Sequence, residues 1–298
     1  MGHHHHDHTA ETTSGRRLFI TMMLNFLITA VEIAGGVMSG SLSLLSDALH
    51  NFSDGLAIII SYIALRLKKK PKSPQYTFGL KRAEILAATI NSAVLIAISL
   101  FLFAEVYHRF SEPHAIAGGL MMTVAGIGLA ANVIGTLLLK KGAAGSLNIR
   151  SAYLHLLSDA VSSVAVILGG AAIYYWDIYW IDPVLTVLIS LYILKESFGI
   201  LRESVNVIMM GSPENVDLQE IKKTVEAVDG VNNLHHVHLW RLNEHDIFME
   251  GHVDVRDMPV SSASLILREL EKELHERFQI SHLTLQFECN HCSAQNMV

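Results

Sequence analysis

Residues 42–65 read LSLLSDALHNFSDGLAIIISYIAL, and residues 151–175 read SAYLHLLSDAVSSVAVILGGAAIYY. At ~1.5 Å of rise per residue, each apolar run is long enough for a helix across a hydrocarbon layer ~30 Å thick. Each also carries ionisable groups, and a charge at mid-bilayer costs ~2.5 to 3.5 kcal/mol on insertion scales, so those groups need a purpose. In the first run Asp47, His50 and Asp54 stand at i, i+3 and i+7, on one helical face. His50 and Asp54, one turn apart, bring their side chains within ~5 to 6 Å. The second run repeats that pair as His155 and Asp159. Leu45-Ser46-Asp47-Ala48 also matches Leu157-Ser158-Asp159-Ala160, but the tetrapeptide is offset from the two His-X-X-X-Asp motifs, which argues against a true internal repeat.

The rest of the chain extends this membrane reading. Of 298 residues 51% are hydrophobic and 17% charged, with mean hydropathy +0.36, too apolar and charge-poor for an ordinary soluble protein. Six segments qualify as spans: 18–38, 42–65, 83–107, 116–139, 151–175 and 181–204. Lys and Arg gather in alternate connections: Arg16-Arg17, Arg66 with Lys68-Lys69-Lys70, Lys81-Arg82, and Lys140-Lys141 with Arg150. The loops between them are poor in both, so the positive-inside rule places both termini in the cytoplasm. Trp176, Tyr179 and Trp180 fit an aromatic belt at the outer interface, and the first span serves as an uncleaved anchor.

Two imidazoles and two carboxylates from two spans fill the four positions of a tetrahedral ion. Imidazole selects zinc over manganese, magnesium and calcium, with Cd2+ and Co2+ as further guests. Metal binding needs neutral imidazole and ionised carboxylate, so protons compete for the same atoms. A site that opens alternately to each side then exchanges Zn2+ for H+. No His-Glu-X-X-His is present and the four-ligand set leaves no open position, which argues against a zinc-dependent intramembrane enzyme. The net charge of -6 offers nucleic acid no basic field. Asn25, Glu32, Asn91 and Asn132 read as interhelical hydrogen-bonding groups, and Asp47 as a residue lining the path or supporting a ligand.

From Glu214 the pattern becomes soluble. A helix from about Asp217 to Gly230, strands Leu234–Leu242 and Ile247–Val255, a helix Ser262–Phe278 and a strand His282–Glu288 make a small α+β domain. Strict alternation puts His236, His238 and Trp240 on one face of the first strand and Glu250, His252 and Asp254 together on the second. His238 and His252 then converge across the hairpin, and Glu288 joins them. His235, His245 and His275 read as surface histidines without a specific role. Cys289 and Cys292, the only two cysteines, form Cys-X-X-Cys, a zinc-ligating pair rather than a disulfide in a reducing compartment. The run His3-His4-His5-His6-Asp7-His8 is either a cloning tag or a native metal-binding arm, and its direct passage into the chain favours the arm.

Taken together, these features resemble the cation diffusion facilitator family. The resemblance rests on His50-X-X-X-Asp54, His155-X-X-X-Asp159, Ser46-Asp47-Ala48, Thr77-Phe78-Gly79-Leu80-Lys81-Arg82-Ala83-Glu84, His236-Val237-His238-Leu239-Trp240 and His282 to Glu288. It implies an α-helical membrane protein of six transmembrane helices with a C-terminal ferredoxin-like cytosolic domain. The expected parts are an arm at 1–15, a membrane domain at 16–208 and a metal-binding and dimerisation domain at 209–298. It further implies a homodimer in a bacterial inner membrane that exports zinc against protons through His50, Asp54, His155 and Asp159. His238, His252, Glu288, Cys289 and Cys292 match a regulatory cytosolic zinc site, which the histidine arm completes. Some relatives bind a further metal between the second and third spans; here Lys68 to Lys81 contains no histidine, so none is expected.

Overall fold

The computed structural model describes residues 8–112, 114–140, 147–244, 246–289, 291–292 and 296–298. They form two compact units, one of the chain up to Ile60 with Ile90–Gly199, the other of Ser61–Thr89 with Ile200–Val298. Six long helices come first: α1 His8–Ser39, α2 Leu42–Lys68, α3 Ala83–Ser111, α4 Gly118–Lys140, α5 Leu147–Trp176 and α6 Ile181–Ile208. By length and composition, five stretches suffice to cross a membrane: α2, α3, α4, Tyr153–Trp176 within α5, and α6. In α1 the described apolar stretch is Met23–Ser39, so five candidate spans are found among the described residues. Helix α1 is described from His8, so residues 8–15 of the expected arm are helical. His3, His4, His5, His6, Asp7 and His245 lie outside the described residues.

Small residues and buried carboxylates set the helix contacts of the first unit. Helix α4 packs on α5 and α1. A Cβ at Gly118 would sit 2.7 Å from the Gly170 carbonyl oxygen, so α4 and α5 approach backbone to backbone where neither helix carries a side chain. Leu44, Met121, Val124, Val166 and Ile173 fill the interior. Leu100, Phe101, Leu137, Leu168 and Leu188 project outward, as side chains facing acyl chains do.

The start of α2 is held from a distance in sequence. Asp182, fully buried in the first turn of α6, accepts from Ser41 Oγ and Ser43 Oγ at 2.6 Å each and from the backbone N–H groups of Leu42 at 2.8 Å and Ser43 at 3.1 Å. A carboxylate meeting the orphan donors and positive end of a helix is a strong cap, supplied here by another span. Arg109 of α3 donates to the Gly40 carbonyl at 2.8 Å.

In the second unit α7 Leu218–Glu226 is followed by β1 Val231–Arg241, β2 Ile247–Val255, α8 Val260–Phe278 and β3 Ile280–Glu288. Asp217 caps α7 by accepting from Gln219 N–H. The sheet order is β1-β2-β3, with β1 antiparallel and β3 parallel to β2, and α8 makes the crossover that parallel pairing requires. Ile221, Val225, Leu234, Val253, Leu270 and Leu274 form the core between helices and sheet. At the hairpin turn, Asp246 Oδ2 pairs with Lys81 Nζ at 2.7 Å and accepts from Asn243 Nδ2 at 2.7 Å, while Phe78 meets Phe248 edge to face. Burial alone would raise the Asp246 carboxyl, but the hydrogen bonds from Lys81 and Asn243 and the charges of Lys81 and Lys68 hold it below the usual carboxylate range.

Candidate metal centres

Helix α2 presents His50 and Asp54 one turn apart, and α5 does the same with His155 and Asp159. The two pairs face each other. Asp54 Oδ2 lies 3.3 Å from His50 Nε2 and 3.3 Å from His155 Nε2, and Asp159 Oδ2 lies 3.5 Å from His155 Nε2. The two imidazole rings stand edge to face with centroids 6.0 Å apart. One ligand atom each from His50, His155 and Asp159 falls within 4.8 Å of the others.

These separations have a direct chemical reading. Four ligands at zinc's ~2.0 to 2.2 Å from a common centre define a tetrahedron with edges of about 3.3 to 3.6 Å. Three of its six edges, 3.3, 3.3 and 3.5 Å, have that size, while the atoms mutually within 4.8 Å are those of His50, His155 and Asp159, with Asp54 outside that set. Asp54 Oδ2 and Asp159 Oδ2 are both buried, and neither has a hydrogen-bond partner among the described residues. Buried acceptors left unpaired are costly, so two of them aimed at two imidazole nitrogens describe a place that a cation stabilises.

The surroundings hold this geometry through α2. Ser46 Oγ meets Ser190 Oγ of α6 at 3.4 Å, and Asp47 accepts from Ser162 Oγ of α5 at 2.6 Å. Asn51 donates to Glu32 of α1 at 3.1 Å, and Ser53 donates to Asn91 of α3 at 3.1 Å. One helix thus bonds to four others around its two ligands, in the manner of supports that orient a metal site. Asp47 points to Ser162 and is not one of the converging ligands. Glu32 and Asn91 make the interhelical bonds expected of them, whereas neither end of the Asn132 side chain has a partner among the described residues.

A second group lies on the sheet, and here strict alternation fails. Strand β1 has a bulge between His235 and His238, with His236 at φ 52°. The extra residue turns the histidine positions over. His235 falls opposite His252, while His238 falls opposite Glu250 and is exposed. The four residues brought together are His235, His252, Glu288 and Cys292, with ligand atoms within 4.8 Å of one another. His235 Nε2 stands 2.7 Å from Glu288 Oε1, and His252 Nδ1 stands 3.4 Å from Glu288 Oε2. Cys292 Sγ donates to Glu288 Oε2 at 3.5 Å and approaches His252 Nδ1 at 3.7 Å.

His238 therefore gives way to His235, which had been read as a plain surface histidine and is only 1% exposed. Cys289 is exposed and is not among the four. The signal for the bulge was in the sequence. The buried apolar residues of β1 are Leu234, Val237 and Leu239, and the step of three between the first two breaks the period of two. At the bulge the N–H groups of His236 and Val237 donate to the carbonyls of Asn296 and Met297, at 3.0 and 2.7 Å. Burial raises the Glu288 carboxyl, but the Cys292 thiol and the His235 and His252 rings outweigh it and draw Glu288 below its ordinary range. Cys292 is pushed up by burial and then by the Glu288 carboxylate. A soft metal entering this group must displace the thiol proton.

Comparison with known proteins covers most of the chain. Residues 18–209 match the model described as the cation efflux transmembrane domain, and residues 213–289 match the cation efflux protein, cytoplasmic domain. The chain is 36% identical over 291 residues to the cadmium, cobalt and zinc/H(+)-K(+) antiporter of Bacillus subtilis, covering 97% of this chain and 92% of that protein. It is 37% identical over 289 residues to the metal cation efflux system protein CzcD of Cupriavidus metallidurans, covering 97% and 90%. It is 34% identical over 295 residues to the zinc transporter ZitB of Escherichia coli, covering 97% and 93%.

Proposed function

The chain belongs to the cation efflux, or cation diffusion facilitator, family, and from that premise we propose that it moves Zn2+ out of the cytoplasm in exchange for protons, with Cd2+ and Co2+ as alternative cargo. It is a metal-exporting antiporter and not an enzyme. The transport site consists of His50, Asp54, His155 and Asp159. The observation that carries this assignment is the set of 3.3 to 3.5 Å separations between imidazole nitrogens and unpartnered carboxylate oxygens contributed by two helices.

The chemistry follows from the ligands. Neutral imidazoles and ionised carboxylates take the metal from the cytoplasmic side. Protons from the opposite side compete for the same lone pairs and displace it, and the protonated site returns. Helices α1 to α6 then form six spans with both termini cytoplasmic, in the inner membrane of a bacterium, and residues 16–208 and 209–298 are the membrane and cytosolic parts. The helix, two strands, helix and strand of the second unit fit a ferredoxin-like domain, through which two copies pair. There His235, His252, Glu288 and Cys292 bind zinc as a regulatory ligand.

Purified protein in liposomes tests the central claim. Zinc uptake is followed with and without an imposed pH gradient. Acceleration by the gradient is expected, and flux indifferent to it refutes proton coupling.

A further inference from the structure

Glu32 of α1 is a fully buried carboxylate. Asn51 donates to its Oε2 at 3.1 Å, but Oε1 has no hydrogen-bond partner among the described residues. That oxygen lies against the backbone of α4 at Gly128, where an added Cβ would collide with it. One turn further along α4, Asn132 is 1% exposed and unpartnered at both ends of its amide. Asp47 of α2 and Asp159 of α5, both acidic, act on Glu32 by their charge. No Lys or Arg occurs in residues 18–65, 118–139 or 151–175, so these helices offer no fixed cation.

A carboxylate so enclosed, facing further acids and lacking a counter-charge, requires a mobile cation. Metal does not suit it: the imidazoles of His50 and His155 face Asp54 and Asp159, which leaves Glu32 and Asp47 with hard oxygen ligands alone. We infer that Glu32 is a proton-carrying residue of the exporter, separate from the four metal ligands and linked to them through Asp159. This rests on the antiport reading and adds a residue to it. With the transport site empty, Glu32 Oε1 holds a proton. A divalent ion arriving among His50, Asp54, His155 and Asp159 cancels the negative charge that favours that proton, which leaves for water. When the metal departs, the proton returns. By linkage, one of the protons exchanged per metal ion is carried on Glu32.

The test uses the full chain in liposomes containing a pH-sensitive dye, with zinc flux measured in parallel to give the proton-to-zinc ratio. In E32Q, an uncharged isostere, the ratio should fall by about one proton per ion, while zinc affinity stays within about threefold of wild type. Zinc binding to E32Q should also lose part of its pH dependence, a change that looser packing alone does not produce. G128A, which displaces Oε1 with the carboxyl retained, should lower the ratio in the same direction and serves if E32Q does not fold. An unchanged ratio in either folded variant overturns the assignment, as does a tenfold or greater loss of zinc affinity in E32Q, which would make Glu32 a metal ligand. If the wild type itself exchanges no protons, the antiport reading fails first.

Discussion

The protein holds two groups of metal-ligating side chains, His50, His155 and Asp159 with Asp54 beside them on the helices and His235, His252, Glu288 and Cys292 on the sheet, and they differ in one soft ligand. On the sheet, Glu288 lies 2.7 Å from His235 and 3.4 Å from His252 and accepts from the Cys292 thiol at 3.5 Å. Between α2 and α5, Asp54 and Asp159 face imidazole nitrogens at 3.3 to 3.5 Å, and no thiol stands among them. A metal entering the sheet must break protein bonds and expel a thiol proton. One entering the membrane group meets imidazole and carboxylate alone. The first arrangement suits a ligand that binds and stays, and the second suits a cargo.

The comparison can be broken most severely at Asp159. D159A removes a quarter of the membrane shell, and zinc flux should fall to the level of empty liposomes while the protein still inserts. Substantial residual flux would mean that the site lies elsewhere. Next in size is the exchange of roles between two histidines of β1. In a D159A background, H235A should weaken zinc binding to the cytosolic group by about tenfold or more, and H238A should leave it near the parent value. Calorimetry reads both, and the opposite ranking would restore the unbulged register.

A smaller effect belongs to the cap on α2. D182A strips four hydrogen bonds from one buried carboxylate and should cost about 1.5 to 3 kcal/mol, seen as a lower midpoint of thermal unfolding. An unshifted midpoint would show that water replaces it freely. The smallest effect is at the hairpin turn. Because the Asp246 carboxyl is depressed in the folded protein, its stabilising pairing is fully present above its unfolded value and is lost as pH falls through the folded one. D246N should therefore lower stability by less than about 1 kcal/mol at neutral pH, and its difference from wild type should close in acid. A difference that persists or grows on acidification would rule out Lys81–Asp246 as its source.

The contrast between the two groups also explains what the sequence alone could reveal. His50 and Asp54 sit in one uninterrupted helix, where a spacing of four means one face whatever the neighbours do. The same holds for His155 and Asp159. Their convergence required only that α2 and α5 be close, which no spacing states. The sheet ligands depend on a ladder, and a single inserted residue at His236 reverses which side chains meet. The elements of the second unit were legible because Pro213, Asp217 and Gly230 punctuate them. His235 was missed because alternation was applied across Leu234 and Val237 despite their odd spacing. Glu32 read as one more interhelical polar group, since its enclosure depends on Gly128, almost a hundred positions away, where the decisive feature is a missing side chain.

The bonds gathered by Asp182 turn the beginnings of α2 and α6 into a joint. Sliding either helix along its axis there would tear these bonds, whereas a tilt about that end would disturb them least. His50 lies about 12 Å and Asp54 about 18 Å along α2 from Leu42. A swing of about ten degrees would carry Asp54 about 3 Å, a full coordination bond and more, while scarcely moving the hinge. The ligand farthest from the pin is the one that travels most.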